Sequence, residues 1–328
     1  MERIDVGEGV EFICGRLVNK AEELQTVALD HLLYADDLGL FAQSLEKLTA
    51  VTKNLCAKFS AFGLQVNFTK TKFMSFNAEQ QQQQAIDVDG NSIERVREFA
   101  YLGSIISEDG TDKRDIETRI LLAQKKTGEL SNVFSSKILT PRLKFKILCA
   151  FVYPVLAWGC ETWCLRQSDE NLLDTWWKKK LRHCLGVTKR DHVKTRDIYN
   201  RLEARALSEK IRERRLRYFG HVVRYPAKRW ARLMLSATVP NAKTKKGQGA
   251  TKTWIAEINA DLNRKRATVK DCLDRNLWRD ITTGATTGSA KTTSSSNTSS
   301  ALSFQANNNS ERLPIQAIMR LRGRKRII

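Results

Sequence analysis

Between residues 31 and 42 the chain reads HLLYADDLGLFA, two apolar runs interrupted only by Asp36 and Asp37. The pattern predicts two short strands joined by a turn, each covered on both faces. Leu45, Leu48, Val51, Thr52, Leu55 and Phe59 then recur at helical spacing, with Ser44 placed to cap the start and Gly63 to end it. LQVNF alternates as a strand does, and Asp89-Gly90 between two alternating segments predicts a hairpin. FAYLGSIIS reads as a further apolar strand interrupted by Gly103. Residues 1–30 show no strong periodicity. Residues 31–106 therefore predict an α+β layer.

Beyond it the period changes. Ile116, Ile120, Ala123, Thr127, Leu130 and Phe134 form one stripe of an amphipathic helix, and Thr140-Pro141 starts another. ENLLDTWWKKKLRHCLG and EARALSEKIRERRLRYFGHVVR continue the helical pattern. Gln80 to Gln84 read as a surface loop. Of residues 281–310, 15 are Ser or Thr and one is charged, too polar a composition to offset ordering entropy. The segment is expected to be disordered, and the basic end RLRGRKRII loosely held.

Charge narrows the choice of partner. The 328 residues carry 56 Lys plus Arg against 36 Asp plus Glu, a net +20, which favours a polyanion. Residues 178–230 hold 18 of the basic residues and 5 acidic ones, so the excess is concentrated in one helical stretch. Lys178, Lys179, Lys180, Arg212, Arg214, Arg215 and Arg217 are the candidate phosphate contacts there. The interleaved aromatics serve either as core or as stacking surfaces. The seven cysteines are odd in number and sparsely spaced, which argues against a secreted disulfide framework. No apolar run reaches the ~18 residues of a membrane span. An intracellular protein, nuclear or cytoplasmic, is expected. Cys160 and Cys164 with His183, Cys184 and His192 downstream lack the paired spacing of a structural zinc site.

The acidic pair is the chemical question. Two carboxylates at a tight turn can face one cleft, and Mg²⁺ takes hard oxygen ligands from one or two carboxylates plus substrate phosphates. Asp is also a common residue in solvated turns. The residues alone leave both readings open.

YADD resembles motif C of reverse transcriptases. FGLQVNFTKTKFMSF is similar to the segment after the palm helix, motif D, and REFAYLGSIIS to the Phe-x-Tyr-Leu-Gly strand beyond it. YPVLAWGCETW and RLRYFGHVVR resemble stretches in the C-terminal region of non-LTR (LINE-type) retrotransposon polymerases. Together, from about residue 30 to about residue 280, the chain resembles the C-terminal part of such an enzyme.

The resemblance implies an α+β fold. A partial palm of antiparallel strands plus helix would occupy 1–110, thumb-like helices 111–165, a basic helical domain 166–280 and a tail 281–328. It implies RNA-directed DNA synthesis with an RNA template, a DNA primer, dNTPs and Mg²⁺ (or Mn²⁺), and no membrane. Asp36 would be the main metal-binding carboxylate, and Asp37 its less directly liganding neighbour. Tyr34 would lie under the primer terminus, and Lys70 near the triphosphate with Lys72 close by. Tyr101, Leu102 and Gly103 would lie in the strand region gripping the primer.

The family's palm also needs a metal-binding Asp on an earlier strand (motif A) and motif B, which the thirty residues before the acidic pair do not supply. The polypeptide alone is therefore expected not to polymerise DNA, unless an upstream polypeptide completes the palm. The alternative is a catalytically silent nucleic-acid-binding protein using the basic helices; a third is a fragment without function.

Overall fold

The computed structural model describes residues 10–14, 25–76, 85–238, 253–284 and 317–325. The architecture is α+β: small, mostly antiparallel sheets followed by a large helical region.

Strands β1 (Val10–Cys14) and β2 (Gln25–Leu29) pair antiparallel, although no periodicity was expected before residue 31. Val10, Phe12 and Cys14 are buried and Glu11 is exposed, a period-2 pattern five residues long.

The acidic hairpin consists of β3 (His31–Tyr34) and β4 (Asp37–Ala42). Helix α1 (Leu45–Ala61) follows, its first turn capped by Ser44, whose Oγ accepts the N–H of Lys47 at 3.2 Å. Gly63, at φ +71°, releases the chain from the helix as predicted. The α1 stripe of Leu45, Leu48 and Leu55 packs on Leu38, Leu40, Phe73, Ile86, Val88 and Ile93 of the sheet. Strands β5 (Leu64–Val66), β6 (Lys72–Ser75), β7 (Ala85–Val88) and β8 (Asn91–Arg95) complete this layer. The β7–β8 turn places Asp89 and Gly90 at φ 52° and 77°, the left-handed pair a type I′ hairpin requires.

Three expectations are corrected in this layer. Only β4 is covered; β3 is exposed throughout, with Leu33 at 69% and Tyr34 at 62%, because among the described residues no strand pairs with its outer edge. FAYLGSIIS is not one strand but the hairpin β9 (Glu98–Tyr101) and β10 (Ser104–Ser107), since Leu102 and Gly103 both take positive φ. The basic end is not loose: residues 317–325 form a strand of the main sheet (β12 below). The glutamine run at 80–84, and residues 285–316 and 326–328 of the tail, lie outside the described residues.

The helical region runs α2 (Lys113–Glu129), α3 (Ser131–Ser135), α4 (Pro141–Ile147), α5 (Tyr153–Leu156), α6 (Gln167–Leu185), α7 (Thr195–Leu202), α8 (Leu207–Val223) and α9 (Trp230–Leu233). Strand β11 (Ala237–Thr238), which pairs with β1, helices α10 (Trp254–Lys265) and α11 (Arg275–Thr283), and strand β12 (Ala317–Lys325) follow. Leu148–Val152 form a π-turn just before Pro154, where a residue without an N–H interrupts the regular ladder. Helix α11 carries order past residue 281 and buries Thr282, so the tail begins later than expected.

The expected boundary at 165–166 falls inside one core. Trp163 and Leu165 pack in the same cluster as Leu173, Trp177 and Leu181, and that cluster extends from Ile116 to Ile211. A second core joins the end of α8 to α10 and α11 through Leu216, Phe219, Ile258 and Trp278. Arg215, fully buried, donates to Asp261 through Nε at 2.9 Å and to the Trp163 carbonyl at 3.0 Å, and its Nη2 forms an ion pair with Glu257 at 2.9 Å.

The strand order in the main sheet is β3-β4-β12-β6-β8-β7. Strand β12 is antiparallel to β4 and to β6, and its far end pairs with β5. The edge of β4 away from β3 is therefore paired by the last described segment of the same chain.

Candidate functional site

Ala35 and Asp36 form the two-residue turn of the acidic hairpin. Ala35 takes φ 52°, a left-handed conformation costing a residue with a Cβ roughly 1–2 kcal/mol. Strain of this kind concentrates at functional turns. The turn breaks strand alternation, so the adjacent carboxylates differ in setting: Asp36 is exposed at the tip, whereas Asp37 opens β4 and is buried at 7% exposure. Tyr34, the cross-strand partner of Asp37, is exposed on β3.

The register brings Lys70 to the same end of the sheet. Lys72 and Gly39 are both partners of Arg320, so they stand level on either side of β12. Lys70, two residues before Lys72, lies in the turn that leads into β6, at the end of that strand nearer the acidic turn. It is exposed in a turn in which its N–H is donated to the Asn67 carbonyl at 3.1 Å. Lys72 pairs with Glu94 at 2.7 Å across the β6–β8 ladder, which occupies its charge.

The Tyr101–Gly103 segment is held from the helical side. Trp158 Nε1 donates to the Leu102 carbonyl at 3.3 Å, and the Arg119 guanidinium donates to the Gly103 carbonyl. A Cβ at Gly103 would lie 3.1 Å from Trp158 Nε1. Tyr101 is half-buried at the end of β9. Arg119 and Trp158 had no sequence signal, because their partners lie 16 and 56 residues away.

The basic stretch divides. Arg215 is a core residue with two carboxylate partners, so it is not a phosphate contact. Lys180 is buried, donates to Gln124 Oε1 at 2.6 Å and lies over the Trp176 ring; burial, then Lys179, lowers its pKa to about 8. Arg212 pairs with Glu170 at 2.6 Å, and Arg214 Nε with Glu161 at 2.9 Å. Lys178 is half-buried, Lys179 exposed, and Arg217 52% exposed while paired with Glu213 at 2.7 Å. Among the candidates, Lys179 and Arg217 are exposed, and Lys178, Arg212 and Arg214 are half-buried.

A cleft of about 510 Å³ opens beside Arg217, between α8 and the segment around Tyr153 and Glu161. Lys210, Arg214, Arg217 and His221 line it from one side of α8, and Arg205 joins them. Lys210 Nζ lies 4.1 Å from the Tyr153 ring centroid, and burial lowers its pKa. The spacing 210, 214, 217, 221 is that of one helix face, the signal by which these residues could have been found together.

Among the described residues no three His, Cys, Asp or Glu side chains converge to hold a metal ion. Cys160 and Cys184 lie in the apolar core, where burial above all pushes both thiols up to about 12. The acidic hairpin offers two adjacent hard-oxygen donors, a set that suits a cation completing its shell with water and substrate phosphate. No described helix is long and apolar enough to cross a membrane.

Residues 12–106, from β1 to β10, match the family described as reverse transcriptase (RNA-dependent DNA polymerase). The chain is 25% identical over 255 residues to a transposon-derived protein of Caenorhabditis elegans, covering 73% of this chain and 87% of that protein. No solved structure matches the chain significantly. Residues 12–106, in the first third of the chain, are thus similar to a reverse transcriptase domain, and the chain is similar to a transposon-derived protein.

Proposed function

We propose that this chain derives from the RNA-directed DNA polymerase of a non-LTR retrotransposon and carries the catalytic hairpin of its palm. The observation that carries the reading is the YADD turn. It presents one exposed and one buried carboxylate at the end of the sheet that also holds Lys70, inside the region similar to reverse transcriptases. Asp36 and Asp37 would hold Mg²⁺ (or Mn²⁺), which when bound activates a primer 3′-hydroxyl and neutralises the triphosphate. Lys70 would supply positive charge near the leaving pyrophosphate. Tyr34 would support the primer terminus, and the clamped Tyr101–Gly103 turn the primer strand. The substrates would be an RNA template, a DNA primer and dNTPs.

The chain is proposed to be inactive as it stands. Two-metal chemistry needs carboxylates preorganised on neighbouring strands. The strand beside β4 places Arg322, not a carboxylate, in register with Asp37. Nucleic-acid binding does not share this limit, because Lys178, Lys179, Arg217 and the Lys210 cleft lie on helices remote in sequence from the hairpin. A silent nucleic-acid-binding role is the second reading.

The hairpin is tested by Mn²⁺ titration of the ¹⁵N-labelled chain. Paramagnetic broadening centred on Ala35–Leu38, and lost in Asp36→Asn/Asp37→Asn, is expected. Broadening that spares those amides would overturn the metal-site reading.

A further inference from the structure

Strands β4 and β6 are not hydrogen-bonded to each other. Both are built into the core: Leu38, Leu40 and Ala42 of β4 and Phe73 of β6 are buried, in one cluster with α1. Their facing edges present backbone N–H and C=O groups that must find partners once water is excluded. Strand β12 supplies them. Residues 317–322 pair with Ala42 back to Asp37, residues 317–320 pair with Ser75 back to Lys72, and Gly323–Lys325 pair with Val66 back to Leu64.

This strand is local to the slot but remote in sequence. Residues 284–316 separate it from α11, whereas its main contacts are with β4, β5, β6 and α1. The intervening 33 residues span up to roughly 110 Å when fully extended, so chain connectivity does not dictate which segment enters the slot. The match lies in the ladder and the charge. AIMRLRGRK has no proline, and four of its nine residues are basic. Its basic end runs towards the acidic turn, with Arg322 the register partner of Asp37.

We propose that the space between β4 and β6 is a peptide-strand-binding site. Its ligand is an extended segment, antiparallel to both flanking strands, with aliphatic residues and a basic residue in register with Asp37. Residues 317–325 occupy it in cis. Main-chain hydrogen bonds hold the strand, and the charged position sets its register. Because the tether only raises the local concentration of the strand, the same sequence supplied as a separate peptide also binds once the tethered copy is disabled. The proposal does not depend on the polymerase reading; it stands on the ladder alone.

The test uses the full chain with Met319→Pro/Leu321→Pro, which removes two ladder N–H groups from the tethered strand. Amide exchange at Leu38–Phe41 and Phe73–Met74 should accelerate by about 100-fold while amides of α6 and α8 stay protected. A labelled peptide of sequence AIMRLRGRK should then bind the variant and restore protection, and should not bind the unaltered chain. A peptide carrying Glu at the position of Arg322 should bind about 10-fold more weakly. Unchanged exchange in the variant, or an exposed slot that the peptide neither binds nor protects, would overturn the proposal. Should α6 and α8 also lose protection, the unaltered background decides: Gly39→Cys/Arg320→Cys joins two register partners. Peptide mass spectrometry must find that disulfide after oxidation; its absence would equally overturn the proposal.

Discussion

Asp37 is the antiparallel register partner of Arg322 in the β4–β12 ladder. The second carboxylate of the acidic pair is thus committed to a sheet whose neighbouring strand brings a basic residue to its level. Asp36, one residue earlier, remains exposed on the turn. The pair is divided into an accessible ligand and a buried one, and the division follows from where the two-residue turn ends.

Arg215 should be the most costly of the basic residues to remove. Its loss leaves Asp261 and Glu257 buried with reduced compensation, a change worth about 3–5 kcal/mol. Arg217→Ala removes a half-exposed cation whose partner Glu213 keeps Arg205, and should cost no more than about 1 kcal/mol. Urea denaturation of Arg215→Met and Arg217→Ala, followed through the tryptophans, checks the contrast.

Gly103→Ala should destabilise the β9–β10 turn by about 1–2 kcal/mol, because φ +88° is strained for alanine. The added methyl would also crowd Trp158, loosening the bond from its indole N–H to Leu102. Amide exchange at Ser104 and Ile105 should quicken ahead of the rest of the layer.

Asp112 gives a pH signature. Its carboxylate accepts the N–H of Cys164 at 2.7 Å, yet burial, with Asp115 and Asp169 nearby, raises its pKa from 3.8 to about 6. Between about pH 4 and 6 the folded state keeps a proton that the unfolded state has released. Its contribution to stability therefore falls as pH rises through that window, by up to roughly 3 kcal/mol. Asp112→Asn retains an acceptor oxygen and should flatten this slope in urea midpoints measured from pH 4 to 7.

Nucleic-acid affinity should weaken with salt, and the slope should identify the contacts. Each phosphate-contacting lysine contributes about 0.7–0.9 to the logarithmic slope. Lys178→Ala/Lys179→Ala should reduce the slope accordingly for an RNA–DNA duplex, and Lys180→Ala should leave it nearly unchanged because that ammonium faces Gln124.

Much of the first layer was legible because its signals are local. Ser44, Leu45, Leu48, Leu55 and Gly63 mark α1 within one helical window, and Asp89-Gly90 marks a turn within two residues. The β1 strand was missed because VEFIC is shorter than a convincing alternation. The failures with chemical weight were non-local. Leu207, Ile211 and Phe219 at helical spacing put Arg215 on the buried face of α8 and Arg217 off it, but the carboxylate that lets an arginine sit there, Asp261, lies 46 residues on. Likewise RLRGRKRII reads as a loose basic tail until β4 and β6, more than 240 residues earlier, provide two edges for it. The YADD motif was legible as chemistry, whereas the strand that lies beside it was not.

Primer extension by the purified chain, on an RNA template with a DNA primer, dNTPs and Mg²⁺ or Mn²⁺, tests the central claim most directly. The account predicts no extension beyond that of the Asp36→Ala variant, because the acidic hairpin stands beside a basic strand in place of a second carboxylate. Extension by the unaltered chain that Asp36→Ala abolishes would contradict it.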